Sequence, residues 1–353
     1  MAVSNQTNAH GARKFPGIDL HLHLDGALTP EMLLTLGALS GTNLPAQTPE
    51  ALRPFVTVDE RCTSLVEYLE RFNVTLSVLQ TREAIAEAVR MLLLRLHEQG
   101  LLYAEIRFAP QLHLQRGLTQ CQVVEAATEG LLKAGAQCAP LKAQLILCCM
   151  RFDENRSENL ETIRTAAAFL GRGVCAADLA GGEIGHPATA YAEAFELAAK
   201  LGVPYTIHGG EAAGPQSIRE ALSIGAQRIG HGVHAAGDEA LLALLAERKI
   251  PLEMCPTSNL HTKAVSSLHD YPVRDFLHRG IVATINTDNP GISQTTLAQE
   301  FDSLRVEAGL TLEEQKTLLI HAARAAFLPQ DEKEALLAAV EAALAEGACA
   351  TGQ

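Results

Sequence analysis

Eight short apolar runs, separated by helix-like segments, recur along this chain of 353 residues. The runs cover residues 17–24, 101–108, 142–150, 174–181, 204–211, 227–232, 250–257 and 280–289. Their content of Ile, Val and Leu is typical of strands that are buried on both faces of a parallel sheet. Eight such strands alternating with helices predict an α/β fold, a closed (β/α)₈ TIM barrel. An open doubly wound sheet is the alternative, but it usually has fewer strands and a glycine-rich phosphate turn that this sequence lacks.

The connections between the runs predict which helices surround the barrel and cover its mouth. Amphipathic patterns predict helices over residues 82–99, 120–136, 158–170, 188–201 and 238–248. The connection over 30–81 is too long for an ordinary loop, and its helical pattern at 64–72 predicts a lid over the barrel mouth. From residue 311 onward, extra helices are expected outside the barrel. No repeat or linker divides the chain, so residues 1–353 are predicted to form one domain, with 1–14 as a disordered tail.

Charge and composition limit the classes of partner that the protein could bind and the compartment in which it is expected. The 28 Lys and Arg against 41 Asp and Glu give a net charge of −13, which disfavours binding to nucleic acid or to an anionic membrane. No apolar run is long enough to span a bilayer, and the N-terminal segment lacks the apolar core of a signal peptide. The eight Cys include no C-x-x-C pair, as is usual in a reducing cytoplasm. We therefore expect a cytoplasmic protein, a monomer or weak homo-oligomer, that binds a small molecule.

Two histidines lie at the end of the first predicted strand. His21 and His23 alternate with leucines, so both side chains point to the same face of the strand, into the barrel. Two imidazoles on one rigid strand make half of a site for a metal such as Zn²⁺. The pair alone is weak evidence, because 13 histidines in a chain of this length produce such a spacing by chance.

Three further strand ends carry ionisable residues. The fifth predicted strand ends in His208 and Glu211, the sixth in His231 and the eighth in Asp288. These ends meet at the mouth of the barrel, where barrel enzymes have their active sites. Three imidazoles and one carboxylate can hold one zinc ion and leave room for water, as in a catalytic site. The predicted metal ligands are His21, His23, His208 and Asp288.

The other ionisable groups at the mouth have predicted catalytic roles. Zinc would lower the pKa of bound water to about 7. His231 could hydrogen-bond the resulting hydroxide and orient it, and Asp288 could accept the proton from the water. Glu211 follows His208 by three residues and can reach a substrate without ligating the metal, so it is the predicted general acid. Protonation of a ring nitrogen would make the adjacent carbon of an aromatic heterocycle electrophilic.

Taken together, these motifs resemble those of the adenosine deaminases, in the amidohydrolase superfamily. The motifs are His-Leu-His-Leu-Asp-Gly at 21–26, Asp-Leu-Ala-Gly at 178–181, His-Gly-Gly-Glu at 208–211, Gly-His-Gly-Val-His at 230–234 and Asn-Thr-Asp at 286–288. They occur in the family's order and span nearly the whole chain. The resemblance implies a TIM barrel with one Zn²⁺ per chain. It also implies hydrolytic deamination of adenosine and 2′-deoxyadenosine to inosine and 2′-deoxyinosine, a reaction of purine salvage.

The resemblance also implies a role for each site residue. The four ligands are those given above, with His23 beside the substrate as well as the metal. Glu211 would protonate purine N1, and His231 would orient the hydroxide. The backbone N–H of Gly181 would donate to purine N3, and Asp25 would accept the ribose 5′-hydroxyl. A hydrophobic gate over the ligand, or simply a packed helix face, would be formed by Leu65, Tyr68, Leu69 and Phe72.

Two positions depart from the family pattern. Asn289 stands where the family has a second Asp that contacts purine N7, and Gly182 stands where it has an Asp beside the pocket. An Asn amide can donate to N7, so purine binding would be altered in strength rather than lost. The same chemistry on another 6-aminopurine, adenine or a 5′-modified adenosine, is therefore the alternative function. Asp25 argues against free adenine, because adenine deaminases tend to carry Glu there.

Other function classes fit the sequence less well. Two-metal amidohydrolases such as phosphotriesterases use a carboxylated Lys on strand four, where this chain has no Lys. A non-catalytic ligand-binding homologue would not need both Glu211 and His231. The cytidine-deaminase fold is excluded because its H-x-E and P-C-x-x-C pair is absent. The remaining histidines after the seventh strand are expected in a long loop, solvated or capping helices; they are His261, His269 and His278.

Overall fold

Eight parallel strands form the centre of the computed structural model, which describes residues 16–59 and 61–350. The strands are β1 (Ile18–His23), β2 (Tyr103–Phe108), β3 (Lys142–Met150), β4 (Val174–Ala180), β5 (Thr206–Gly209), β6 (Arg228–His231), β7 (Leu252–Met254) and β8 (Ala283–Ile285). Each lies inside a predicted run, so the predicted strand set is confirmed. The tail expected over residues 1–14 lies outside the described residues.

The strands close into a barrel. Backbone hydrogen bonds order them as two four-stranded sheets, β1-β2-β3-β4 and β5-β6-β7-β8. A parallel bridge between Ala177 and Tyr205 joins the sheets on one side, and a bridge between Leu22 and Asp288 joins them on the other. The Asp288 N–H donates to the His21 carbonyl at 2.7 Å, and the His23 N–H donates to the Asp288 carbonyl at 2.7 Å. The predicted (β/α)₈ barrel is confirmed, and its closure brings three of the predicted metal ligands together.

Helices surround the barrel and cover its mouth. They are α1 (Pro30–Ser40), α2 (Pro49–Val56), α3 (Leu65–Leu69), α4 (Phe72–Val78), α5 (Arg82–Gln99), α6 (Gln120–Gly135), α7 (Arg156–Phe169), α8 (Ala192–Leu201), α9 (Pro215–Ser223), α10 (Glu239–Arg248), α11 (Pro256–His261), α12 (Val273–His278), α13 (Leu297–Glu307), α14 (Leu312–Ala325) and α15 (Gln330–Ala350). Local chemistry sets their ends. The Thr81 hydroxyl caps α5 by accepting from the Ala84 N–H, and Gly100 ends the helix with φ of 92°.

The lid segment differs from the single helix predicted over residues 64–72. It contains two short helices, α3 and α4, joined at Glu70 and Arg71. Both joint residues keep right-handed helical dihedrals, but the Arg71 N–H bonds to the Tyr68 carbonyl and the Asn73 N–H to the Glu70 carbonyl, each three residues back. These tighter bonds interrupt the α-helix while preserving the spacing of its apolar side chains. Periodicity alone therefore could not reveal the break.

One large apolar core connects the barrel with the surrounding helices and runs from Ile18 to Val340. Charged side chains are buried within it as pairs. Arg107 contacts Asp178 and Glu253, and Arg228 contacts Glu105 and Glu253. Along the described residues, no helix is both long and apolar enough to cross a membrane.

Candidate active site

The predicted metal ligands converge at the carboxyl ends of β1, β5 and β8. The ligating atoms of His21, His23, His208 and Asp288 all lie within 4.8 Å of one another. His23 Nε2 is 3.3 Å from His208 Nε2 and 3.3 Å from Asp288 Oδ1, and His21 Nε2 is 3.4 Å from Asp288 Oδ1. Ligands of a tetrahedral Zn²⁺ lie about 3.3 Å apart, because each is about 2.0 Å from the metal. The cluster therefore has the size that one tetrahedral metal ion requires.

Neighbouring carboxylates set the orientation of two of the imidazoles. His21 Nδ1 lies 2.8 Å from Glu253 Oε2, and His208 Nδ1 lies 3.0 Å from Asp178 Oδ2. Because a carboxylate accepts, each Nδ1 carries the proton and each Nε2 presents its lone pair to the cluster. The buried Nε2 of His21 has no hydrogen-bond partner. This arrangement of carboxylate and imidazole is the usual support of a histidine metal ligand.

The charge state of the cluster also suits a cation. Burial lowers the pKa of His23 well below its usual value, and it lowers that of His208. Burial alone would favour the neutral form of Asp288, but the neighbouring imidazoles of His21 and His23 hold its pKa well below the usual range. Neutral imidazoles and an ionised carboxylate are the forms that bind metal. Burial opposes the charge on His21, but the carboxylates of Asp288 and Glu253 raise its pKa, so this ring must release a proton when it binds the ion. Ser258 donates to Asp288 Oδ2 at 2.5 Å and holds that carboxylate in place.

The backbone is strained at two of the site residues. Asp288 has φ of 59° and His231 has φ of 61°, in the left-handed region that residues other than glycine rarely adopt. Such strain persists where the surrounding structure holds it, often at functional sites. At both positions it turns a side chain into the mouth at the end of a strand.

Glu211 lies beside the cluster and is buried. Its Oε2 is 3.6 Å from His231 Nε2, and Glu211, His231 and Asp288 each offer a ligating atom within 4.8 Å of the others. Burial, followed by the charges of Asp288 and Glu183, raises the pKa of Glu211 well above its usual value. Its surroundings therefore favour the protonated form of the carboxyl group, which is the form that a proton donor requires.

The proton of His231 can be placed from its neighbours. The Tyr271 hydroxyl donates to Asn259 Oδ1 at 2.8 Å, so the Asn259 amide nitrogen faces His231 Nδ1 at 3.1 Å. That nitrogen donates, so Nδ1 is the acceptor and the neutral ring carries its proton on Nε2. Burial keeps the pKa of His231 well below its usual value and the ring neutral. The buried Nε2 has no hydrogen-bond partner, which leaves its N–H free to donate to a molecule in the site.

A cleft lies over the cluster and opens into a larger cavity. The cleft contacts Gly181, Asn289 and the metal ligands His23, His208 and Asp288. The adjoining cavity, of about 340 Å³, shares Gly181 and also contacts Asp25 and Gly182. This volume is within the range of small-molecule sites, about 300–1,000 Å³. Gly182 faces open space, since a Cβ there would meet no atom within 4 Å.

Two of the predicted substrate contacts have buried oxygens that lack a partner, Asp25 Oδ1 and Asn289 Oδ1. Burial raises the pKa of Asp25 to about 7. Asn289 packs directly on Gly26, where a Cβ would lie 1.8 Å from Oδ1. Buried polar groups of this kind usually have a partner, which at a binding site is often the ligand.

All four predicted gate residues line the cleft, namely Leu65, Tyr68, Leu69 and Phe72. Tyr68 also makes specific contacts with residues outside the lid helices. Its ring packs in a small cluster with Val58, Cys62 and Ile292, and its hydroxyl lies 2.8 Å from Ser293 Oγ. This hydrogen bond ties the lid to the loop after β8, which carries Asp288 and Asn289.

Sequence reasoning missed several residues that support the site. It treated Asp178 only as part of a motif and overlooked Glu253, Glu183 and Asn259. A charged residue inside an apolar strand was the available signal for Glu253, which lies between Leu252 and Met254 in β7.

The expectation for His261 was wrong. This histidine is buried, lies in α11, and its Nδ1 is 3.3 Å from Ser293 Oγ. The reason is that its ring lies against Ser293, in the loop after β8, which the sequence pattern could not place beside it. His269 and His278 are exposed, as expected, but His278 is the last residue of α12 rather than part of a loop, and it lies 2.9 Å from Glu314.

Comparisons with known proteins agree with this geometry. The adenosine deaminase family profile matches residues 16–343. An adenosine deaminase from Haemophilus ducreyi is 49% identical over 334 residues, covering 94% of this chain and 97% of the relative. An adenosine deaminase from Enterococcus faecalis is 39% identical over 324 residues, covering 92% of this chain and 95% of the relative.

Solved structures share the fold. The crystal structure of an adenine deaminase from Arthrobacter aurescens superimposes with a TM-score of 0.84 at 28% identity, covering 92% of this chain and 98% of that one. An Arabidopsis N6-mAMP deaminase superimposes with a TM-score of 0.82 at 24% identity, covering 94% of this chain and 98% of that one. With the family profile and the close relatives, these matches show that the chain belongs to the adenosine deaminase family.

Proposed function

We propose that this protein catalyses the zinc-dependent hydrolytic deamination of adenosine and 2′-deoxyadenosine to inosine and 2′-deoxyinosine, with release of ammonia. One observation carries the proposal: a cluster of three imidazoles and one carboxylate lies in a single cleft beside the buried Glu211, whose pKa burial raises. The large core that spans the chain supports the further proposal that it forms one catalytic domain.

His21, His23, His208 and Asp288 would hold the zinc ion. When bound, Zn²⁺ acts as a Lewis acid that makes water nucleophilic at neutral pH. The number and type of donors suit zinc, since imidazole nitrogens and one carboxylate are common ligands of its catalytic sites.

The chain's own residues would move the protons. Glu211 donates its proton to purine N1, which makes C6 electrophilic toward water. His231 donates its Nε2–H to the attacking oxygen and so orients the lone pair that adds to C6. Asp288 can accept a proton from the attacking water. The proton that Asp288 accepts passes to the amino group, which leaves C6 as ammonia. The second proton of the water returns to Glu211 as the C6 oxygen becomes the carbonyl of inosine.

The unpartnered oxygen of Asp25 supports a nucleoside over a free base. A ribose hydroxyl would donate to this buried carboxylate, whereas free adenine would leave it without a partner, at a cost of about 1–3 kcal/mol. Gly181 supports purine binding because its N–H lies at the cleft wall, where it would donate to N3. Asn289 keeps a second candidate open, deamination of another 6-aminopurine, because its amide differs from the family's carboxylate.

Ammonia release from zinc-loaded protein tests the proposal, with adenosine, 2′-deoxyadenosine, adenine and 5′-modified adenosines as parallel substrates. We expect rapid turnover of the two nucleosides that a chelator abolishes. Turnover of only another aminopurine would replace the proposed substrate with the second candidate. Turnover that persists after complete removal of metal would refute the zinc dependence.

The Glu211→Gln variant tests the proton donor. We expect it to bind zinc with the wild-type stoichiometry and to lose turnover by about 10²–10⁴-fold. Wild-type activity in this variant would refute the role of Glu211.

A further inference from the structure

The position of Glu211 depends on a second buried carboxylate that the proposed chemistry does not use. This group belongs to Glu183, in the loop after β4, and only 5% of the residue is exposed. We propose that Glu183 is a positioning residue that fixes Glu211 for proton transfer. The inference rests on the function proposed above and adds to it a residue that holds the proton donor in place.

Four donors converge on the Glu183 carboxylate. Its Oε1 accepts the backbone N–H of Glu211 at 2.9 Å. Its Oε2 accepts the N–H of Gly210 at 3.1 Å, the N–H of Ala213 at 3.2 Å and the hydroxyl of Ser217 at 2.8 Å. One side chain from the loop after β4 therefore holds the loop that leads from β5 into α9.

The loop after β6 holds only the carbonyl groups of this turn, since the Gly232 N–H donates to Gly209 and the His234 N–H to Gly210. Gly209 and Gly210 immediately precede Glu211, and Gly210 has φ of 71°. Glycine is the residue with the greatest conformational freedom, so this turn is not rigid through its own backbone. The hydrogen bonds to Glu183 supply the constraint on the N–H groups, including that of Glu211 itself. Because charge-assisted bonds to a carboxylate are roughly twice as strong as neutral ones, four of them make the constraint firm.

The constraint bears directly on the proton donor. Glu211 Oε2 is held 3.6 Å from His231 Nε2, in the space that the purine N1 and the attacking water must share. A displacement of about 1 Å in such a group can lower turnover by about 10²-fold. The metal ligand His208 lies in β5 itself, where strand pairing to β6 fixes it independently of Glu183.

Glu183→Gln removes this constraint selectively. A Gln side chain has the same size, but only one of its two terminal atoms can accept. Oε2 accepts three of the four hydrogen bonds, so most donors keep a partner when the amide oxygen of Gln takes the place of Oε2. The amide nitrogen then faces the Glu211 N–H and repels it. The substitution therefore releases Glu211 while much of the remaining loop contact is kept.

The test compares three variants with the wild-type, zinc-loaded enzyme, using the aminopurine that the wild type deaminates fastest. We expect Glu183→Gln to lower kcat about 10–100-fold, with KM within about threefold and one zinc per chain retained. Glu183→Asp keeps the charge but withdraws the carboxylate, and we expect a similar loss of kcat. If Glu183→Gln does not fold, the kcat of Glu183→Asp serves as the test instead. The matched control is Glu314→Gln, which removes a carboxylate that accepts the Thr311 N–H at 2.8 Å on the protein surface, and it should keep kcat within about twofold.

Two results would overturn the inference. In one, folded Glu183 variants retain wild-type kcat. In the other, kcat, KM and zinc content deteriorate together, which would show a general structural role. Failure of the proposed function is a separate outcome, because it appears in the wild-type enzyme as absence of ammonia release from any aminopurine.

Discussion

Glu253 provides the sharpest test of how the barrel core supports the metal site. Its Oε2 accepts from His21 Nδ1 at 2.8 Å and from Arg107 Nη2 at 2.8 Å. Its Oε1 accepts from Arg228 Nε at 2.6 Å and from the Thr206 hydroxyl at 2.9 Å. Burial opposes ionisation, but the two arginines and the His21 hydrogen bond hold the pKa of Glu253 well below its usual range.

Glu253→Gln should weaken zinc binding and folding together. A neutral amide has one acceptor oxygen, so either the His21 and Arg107 side or the Arg228 and Thr206 side loses its partner. Removing one partner from a buried ion pair costs about 3–5 kcal/mol. Each arginine retains a second carboxylate, so we expect a loss near the lower end, about 3 kcal/mol in the free energy of unfolding. For zinc we expect a Kd about 10–100-fold higher, which corresponds to about 1.4–2.7 kcal/mol.

Glu105→Gln is the matched control. Glu105 accepts from Arg228 Nη2 at 2.6 Å, within the same buried network, but it does not contact His21. Its substitution should lower the free energy of unfolding while leaving the zinc Kd within about twofold.

Zinc affinity is measured by competition with a chelator at neutral pH, and stability by urea unfolding of the metal-free proteins. Wild-type zinc affinity in Glu253→Gln would refute the reasoning. An equal loss of zinc affinity in Glu105→Gln would refute it as well, because the effect would then come from general destabilisation.

Three further substitutions test other features of the site. Tyr68→Phe removes the hydroxyl that lies 2.8 Å from Ser293 Oγ, so KM should rise about 3–10-fold with kcat within about twofold; an unchanged KM in initial-rate assays would show that this bond does not hold the lid. Gly26→Ala places a Cβ 1.8 Å from Asn289 Oδ1, so Asn289 must move and KM should rise about tenfold at normal zinc content; a wild-type KM would argue that the purine does not use Asn289. Burial raises the pKa of the Glu300 carboxyl from an ordinary 4.5 to about 7 in the folded protein. Its contribution to the free energy of unfolding is therefore fully present below the pKa of the unfolded chain, 4.5, and is lost as the pH rises through about 7. Relative to wild type, Glu300→Gln should therefore become more stable between about pH 5 and pH 8, by up to about 3 kcal/mol in urea unfolding, and a pH-independent difference would contradict this.

Local patterns in the sequence were sufficient for the barrel and for the residues that meet at its mouth. Strands buried on both faces must be apolar, so the eight runs could be identified without a structure. The polar residues that interrupt them at their carboxyl ends could then be placed at one rim, because all strands of the barrel are parallel. His21 and His23 could be oriented together because side chains alternate along a strand.

The supporting contacts could not be predicted in this way, because they join residues that are distant in the chain. Glu183 holds Glu211 across two loops, and Glu253 in β7 orients His21 in β1. No periodicity or spacing connects such pairs, since the distance between them is set by the curvature of the closed sheet. The break between α3 and α4 escaped prediction for a related reason, because tighter backbone bonds preserve the apolar spacing that reveals a helix.

The sequence by itself determined which elements form and which chemical groups they carry to the mouth of the barrel, since both depend on local patterns of apolar and polar side chains. The tertiary structure decided how those groups act. Closure through the Leu22 and Asp288 bridge sets the size of the metal cluster, and buried carboxylates and an amide fix the proton on His21, His208 and His231. The pKa values of two carboxyl groups a few ångströms apart are moved in opposite directions, upward for Glu211 and downward for Asp288, because the pKa of a buried group depends on the neighbours that the fold brings to it.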